Sequence, residues 1–131
     1  MKCTLPSRLE ELHCADVLTE KVAHEMSLNQ DQKDNLAIAV TEAVGNAIIH
    51  GNKKNPNKKV HLEFRTSKNK IVITIRDEGE GFDPGSIQNP LLPENLMKES
   101  GRGIFILSEL MDDVDFQFSE KGTTLKMVMK L

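Results

Sequence analysis

Apolar residues alternating with period two restrict this chain more than any other feature. Val60, Leu62 and Phe64 alternate with His61, Glu63 and Arg65, and Ile71, Ile73 and Ile75 alternate with Val72, Thr74 and Arg76. Val114, Phe116 and Phe118 repeat the pattern, as do Leu125, Met127, Met129 and Leu131. Residues two apart on a strand share a face, so each run predicts a strand with one strongly apolar side. Polar turns at 67–70 and 119–122 join the runs into two hairpins. Such a sheet needs cover on one face only, which helices must supply. The expectation is an α/β (α+β) two-layer sandwich: a mixed, mostly antiparallel sheet with helices on one face.

The helices are legible in the same way. Ser7-Arg8-Leu9-Glu10 has the S-x-x-E form of a capping box, and Leu9, Leu12, Leu18, Val22 and Met26 follow at roughly helical spacing. They predict a helix from about Ser7 to Met26, after a short strand near residues 2–5. Asn29 and Asp31 open a second helix with the stripe Leu36, Val40, Ala43, Ala47 and Ile48. Gly51, Asn52 and Asn55-Pro56-Asn57 end it. Ile104–Met111 predicts a third helix. Between the hairpins, Gly79, Gly81, Pro84, Gly85, Pro90, Pro93 and Gly101 mark a long loop-like segment, more often a functional lid than filler. The order is β-α-α-β-β-lid-α-β-β. A chain of 131 residues is expected to make one domain, 1–131, with the lid at about 79–100.

Composition removes several function classes. With 38% hydrophobic and 28% charged residues, the chain is globular in type, not disordered. It has no apolar run near the ~18 residues of a membrane helix, and no apolar core of a signal peptide follows Met1–Pro6. The expected location is therefore the cytoplasm. Lys and Arg number 17 against 20 Asp and Glu, a balance that argues against a dedicated nucleic-acid binder. There is no Trp or Tyr for base-stacking. Cys3 and Cys14 form no C-x-x-C, and His13, His24, His50 and His61 lack metal spacing, so the thiols read as reduced and no structural metal is expected.

Three clusters can carry chemistry. In the second helix Glu42 and Asn46 stand at i and i+4, on one face away from the apolar stripe. Gly45 lies between them, at a cost of about 1 kcal/mol relative to Ala in a helix interior. A glycine there suits a ligand that approaches the helix backbone, although a plain polar face is the alternative. Next, Asp77-Glu78-Gly79-Glu80-Gly81 follows an apolar strand, placing a carboxylate where it can accept a hydrogen bond from an exocyclic amine; alone it could also be an acidic surface turn. Finally, Ser100-Gly101-Arg102-Gly103 opens a helix, where free N–H groups and a guanidinium favour phosphate. No βαβ unit surrounds this G-x-G and no G-K-[ST] follows, so it is neither a Rossmann nor a Walker A loop.

In order and spacing these clusters resemble the GHKL family of Bergerat-fold ATP-binding domains, and within it the bacterial anti-sigma-factor serine kinases. The resemblance covers nearly the whole chain. Glu42-x-x-x-Asn46 matches the N box, Asp77-x-Gly79-x-Gly81 the G1 box, Gly101-Arg102-Gly103 the G2 box, and Gly122-Thr123 the terminal Gly-Thr. The resemblance implies that Asn46 holds the Mg2+ bridging the ATP phosphates. It implies that Asp77 accepts the adenine amino hydrogen with Thr123 in support, and that Gly79 and Gly81 let the backbone lie close to the base. Gly101, Arg102 and Gly103 would bound the triphosphate, and Glu42 would be the general base. G2 lacks the fuller glycine pattern of many members.

The implied function is an ATP-dependent serine protein kinase and anti-sigma factor. It would phosphorylate a STAS-type anti-anti-sigma protein and sequester a sigma factor, with neither nucleic acid nor membrane as direct partner; the family often works as a homodimer. Alternatives are a non-catalytic ATP-binding regulatory module and the catalytic domain of a histidine kinase. Met1, the end of the last strand at Leu131 and the style of the N box speak against the latter. His50 reads as a helix-end residue near the nucleotide, not a phosphoacceptor. Lys53, Lys54, Lys58 and Lys59 read as a solvated turn, and Phe82 and Phe105 as packing residues.

Overall fold

The strands arise where alternation places them. The computed structural model describes residues 1–79, 99–119 and 122–131, leaving aside the side chains of 99–104 and of Phe118. Strands β1 (Lys2–Pro6), β2 (Lys59–Thr66), β3 (Lys70–Arg76), β4 (Asp113–Ser119) and β5 (Gly122–Lys130) form one sheet in the order β1-β2-β3-β5-β4. Every pairing among the described residues is antiparallel, so the sheet expected to be mixed but mostly antiparallel shows no parallel pair among them. The three residues between β2 and β3 can only reverse the chain, whereas a parallel neighbour needs a crossover.

One face of the sheet carries Leu5, Val60, Leu62, Phe64, Ile71, Ile73, Ile75, Leu125, Met127 and Met129, all buried. Helices α1 (Leu12–Glu25), α2 (Gln30–Asn46) and α3 (Glu99–Leu110) belong to the covering layer, with α2 in contact with both others. The predicted stripe of α2, Leu36, Val40, Ala43, Ala47 and Ile48, is buried throughout. The opposite face of the sheet is polar: Glu63 pairs with Lys2 at 3.3 Å and with Arg65 at 3.0 Å. No helix among the described residues is long and apolar enough to cross a membrane.

Helix starts differ from expectation in two places. Ser7 caps nothing: a 3-10 turn at Leu9–Glu11 precedes α1, and its N-cap residue Arg8 makes no side-chain capping bond. The Ser7 hydroxyl is instead fully buried, donating to the Lys58 carbonyl at 2.6 Å and accepting from Asn52 Nδ2 at 2.8 Å. Leu9 consequently falls off the core stripe and is exposed. The reciprocal capping box of this protein is at α2, where Asn29 Oδ1 accepts from the Gln32 amide at 2.8 Å and Gln32 Oε1 from the Asn29 amide at 3.0 Å. Helix α3 begins at Glu99, ahead of the predicted Ile104, so Gly101, Arg102 and Gly103 lie within its first turns. Phe105, expected to pack, is 46% exposed, and Leu131 lies past β5 and is exposed.

Beyond Asn46 the helix widens into a π-helical turn at Ala47–Gly51, closed by the Asn52 amide on the Ala47 carbonyl at 2.8 Å. Such turns concentrate at functional sites. Lys53 and Lys54 follow with positive φ and exposed side chains, in keeping with a solvated turn.

Candidate active site

The periodicity of α2 gives it a second, polar face beside the buried stripe. Thr41, Glu42, Gly45, Asn46, Ile49 and His50 line a cleft of about 230 Å³, walled on the other side by Leu9 and Leu12. Glu42 and Asn46 therefore stand one helical turn apart on one wall, as their spacing predicted. Thr41 Oγ1 donates to Asp16 Oδ1 at 3.1 Å and ties this stretch of α2 to α1. Above Gly45, a methyl group would meet nothing within 4 Å, so the backbone there is open to the cleft. Asn46 Nδ2 is buried and has no partner among the described residues. Buried side-chain donors are nearly always paired, and an unpaired one commonly marks a missing ion, water or ligand. The amide also offers an oxygen of the kind Mg2+ accepts, so this position fits an oxygen-ligated divalent cation.

The second half of the site is built where β3 ends. Asp77 follows Arg76 directly and is 5% exposed. Its amide donates to the Thr123 carbonyl at 3.0 Å, and its Oδ1 accepts from the Gly79 amide at 3.0 Å and the Thr123 amide at 3.1 Å. Burial pushes the Asp77 carboxyl above its ordinary value and outweighs these two backbone donors and the charges of Lys58 and Arg76, which pull it down. Among the described residues both of these amide donors reach Oδ1, and none reaches Oδ2.

Three glycines pack around Asp77, Gly51 against its carboxylate and Gly79 and Gly122 most tightly against the Gly51 and Asp77 carbonyl oxygens, respectively. A methyl group on Gly51 would stand 2.9 Å from the Asp77 β-carbon and closer still to its carboxyl carbon and Oδ2. A methyl on Gly79 would lie 3.1 Å from Asp77 Oδ1, and one on Gly122 would lie 3.0 Å from the same oxygen. Gly122 also has φ +133°, a conformation that L side chains rarely adopt. The end of α2, the segment after β3 and the start of β5 thus converge on one side chain. Thr123, expected beside Asp77, is bonded to it, whereas the contact of Gly51 was not foreseen. A glycine ending a helix reads as a stop signal, and nothing local points to a partner on another strand.

Asn52 was missed for the same reason. Its side chain is buried, with Nδ2 donating to Ser7 Oγ at 2.8 Å and to the Lys59 carbonyl at 2.9 Å, while Oδ1 accepts from the Glu78 amide at 2.7 Å. Glu78, the neighbour of Asp77, accepts from the Lys59 amide at 2.8 Å and stands 2.6 Å from His61 Nε2. The hydrogen bond from His61, then that from Lys59, holds its carboxyl below the ordinary value.

The remaining expected residues are placed less fully. Gly81, Phe82 and nearly all of the expected lid at 79–100 lie outside the described residues. Gly101, Arg102 and Gly103 are located by backbone alone, in α3, which packs on α2. Among the described residues no cluster of His, Cys, Asp and Glu has the form of a metal site.

Comparison with known proteins bears on the family and the fold. The model of the histidine kinase-like ATPase domain matches residues 5–129. The serine-protein kinase RsbW of Staphylococcus epidermidis is 32% identical over 131 aligned residues, covering 95% of this chain and 82% of the relative. An anti-sigma F factor of Oceanobacillus iheyensis is 39% identical over 106 residues, covering 77% of this chain and 71% of the relative. Among solved structures, the catalytic domain of the histidine kinase ThkA superposes with a TM-score of 0.61 at 16% identity, covering 99% of this chain and 97% of that domain. At that identity the superposition speaks for the fold alone, an α+β sandwich. The family match runs over nearly the whole length, and with it the chain belongs to the histidine kinase-like ATPase domain family.

Proposed function

We propose that this protein is an ATP-dependent serine protein kinase and anti-sigma factor. It takes its phosphoacceptor from a separate STAS-type anti-anti-sigma protein and sequesters a sigma factor, working in the cytoplasm as a homodimer. The observation that carries the reading is the cleft wall of α2, lined by Glu42, the bare backbone of Gly45 and Asn46, whose buried Nδ2 has no partner among the described residues. The names of the relatives, a serine-protein kinase and an anti-sigma factor, support the choice of acceptor and partner. The whole chain, 1–131, serves as one ATPase domain.

Each residue has a part. Asp77 accepts the adenine amino hydrogen at Oδ2 while Gly79 and Thr123 hold Oδ1. Gly79 and Gly81 allow the backbone to lie against the base. Gly101, Arg102 and Gly103 meet the triphosphate near the start of α3, where helix amides favour anions. Asn46 holds Mg2+, which when bound neutralises phosphate charge. Glu42, one turn away, accepts the proton of the incoming serine hydroxyl as its oxygen bonds to the γ-phosphorus and ADP departs.

Glu42→Gln isolates the chemical step. Transfer of phosphate from ATP to a purified STAS protein is expected to drop by about two to four orders of magnitude, with ATP binding retained. Unchanged transfer would remove Glu42 from the mechanism. Co-purification of a sigma factor from native lysate, with and without Mg-ATP, tests the partner.

A further inference from the structure

Glu78 occupies the unassigned position between Asp77 and Gly79, yet it is held more firmly than either neighbour requires. Strand β3 ends at Arg76, whose register partner on β2 is His61. Past that point the ladder no longer holds the chain to β2. Glu78 takes over through both its backbone and its side chain: its amide donates to Asn52 Oδ1 at 2.7 Å, Oε1 accepts from the Lys59 amide at 2.8 Å, and Oε2 faces His61 Nε2 at 2.6 Å. Three bonds thus fasten the residue after Asp77 to the start of β2 and to the turn that ends α2.

We infer that Glu78 is a positioning residue for base recognition: clasped by Asn52, Lys59 and His61, it fixes the direction in which Asp77 presents Oδ2. The inference rests on the proposed reading of Asp77 as the acceptor of the adenine amino group. The Glu78 and His61 side chains are each about one-third exposed, at 35% and 31%. Ion pairs at that exposure contribute little to stability. Their convergence on the segment that carries Asp77 gives them a role that global stability does not. Asp77 is bonded to β5 through Thr123, accepts from the Gly79 amide and packs on Gly51; the Glu78 clasp adds the bonds that tie this segment to β2. With both sides fixed, Oδ2 has one orientation. With the β2 side released, the peptide linking 77 and 78 can rotate, and the hydrogen bond to an exocyclic amine loses its geometry first.

The test compares ATP with purine riboside triphosphate, which lacks only the 6-amino group, by calorimetric titration of the full chain. The wild type is expected to prefer ATP by about tenfold to a hundredfold, the effect of one hydrogen bond to a charged acceptor. Glu78→Ala is expected to compress that preference to less than about threefold while leaving affinity for the deaminated analogue unchanged. His61→Ala, which opens the clasp from the solvent face of the sheet, should compress it in the same direction and keeps the test available if Glu78→Ala folds poorly. Glu78→Gln, which retains an acceptor for the Lys59 amide, should recover most of the preference. If folded variants keep the preference, or lose affinity for both nucleotides equally, Glu78 is merely structural and the inference is overturned while Asp77 keeps its role. A wild type without preference, or an Asp77→Asn variant that retains it, would overturn the reading of Asp77 and this inference with it.

Discussion

Gly51 packs its α-carbon directly against the side chain of Asp77, leaving no space between them for a methyl group. The last residue of the π-turn after α2 and the first residue after β3 are therefore one packed unit. The wall that carries Glu42 and Asn46 and the Asp77 carboxylate are held in register by the absence of a side chain at position 51.

That contact predicts the sign of a substitution. In a helical turn, alanine is ordinarily favoured over glycine by about 1 kcal/mol. Gly51→Ala should reverse this, because the added methyl must displace the Asp77 carboxyl, and overpacking of this kind costs about 1–3 kcal/mol. For a chain of this size the melting temperature should fall by about 4–10 °C, accompanied by weaker ATP binding. Calorimetric melting with nucleotide titration checks both, and an unchanged melting temperature would show that the carboxyl yields freely.

Gly45 should behave oppositely. It lies inside α2 with nothing within 4 Å of where a methyl would stand. Gly45→Ala should stabilise the nucleotide-free protein by about 0.5–1 kcal/mol, or about 2–4 °C. The same methyl projects into the cleft and should weaken ATP binding. A variant that is both more stable and equally competent for ATP would mean that no ligand approaches the backbone at this turn.

Particular residues show how far sequence reached. Alternation identified the buried partners Ile73 and Met127, because burial of one face is a local pattern. With the turns it also paired the strands of each hairpin, but it did not say that β3 pairs with β5 or β1 with β2. The stripe from Leu36 to Ile48 was legible for the same local reason. Glu42 and Asn46 were legible as a pair because helical spacing alone brings them together. Ser7 misled, because S-x-x-E looks to its neighbours in sequence while its hydroxyl bonds Asn52 and Lys58, separated from it by 45 and 51 positions. Gly51 and Asn52 were recognised as helix stops, and stop they do. Their contacts with Asp77 and Glu78 exist only once the sheet register is set.

The Glu78 clasp should appear in acid unfolding. Its hydrogen bond from His61 holds its folded carboxyl below the ordinary 4.5, so the stabilisation is complete above that pH and is lost as pH falls through the lowered value. Asp77 acts with the opposite sign: burial raises its folded value above 3.8, so its penalty for ionisation is relieved as pH falls. Glu78→Gln should therefore be less stable than wild type at neutral pH, with the gap closing as pH drops below 4.5. Urea unfolding midpoints between about pH 3 and 6 measure this, and a gap constant with pH would remove the charge of Glu78 from the argument.

Ser7 offers a test of the polar network beneath the site. Removing its hydroxyl in Ser7→Ala leaves the part-buried Lys58 carbonyl without that donor and Asn52 Nδ2 with only the Lys59 carbonyl among the described residues. The expected cost is about 1–2 kcal/mol. A lost helix cap would cost nearly as much, so the single variant does not discriminate. The double variant with Asn52→Ala does. A capping serine would add its cost to that of Asn52, whereas a serine bonded to Asn52 shares it, and the two losses should fall short of additive by about 0.5 kcal/mol or more in urea unfolding. Additivity would return Ser7 to the helix start and detach it from the network that reaches Glu78.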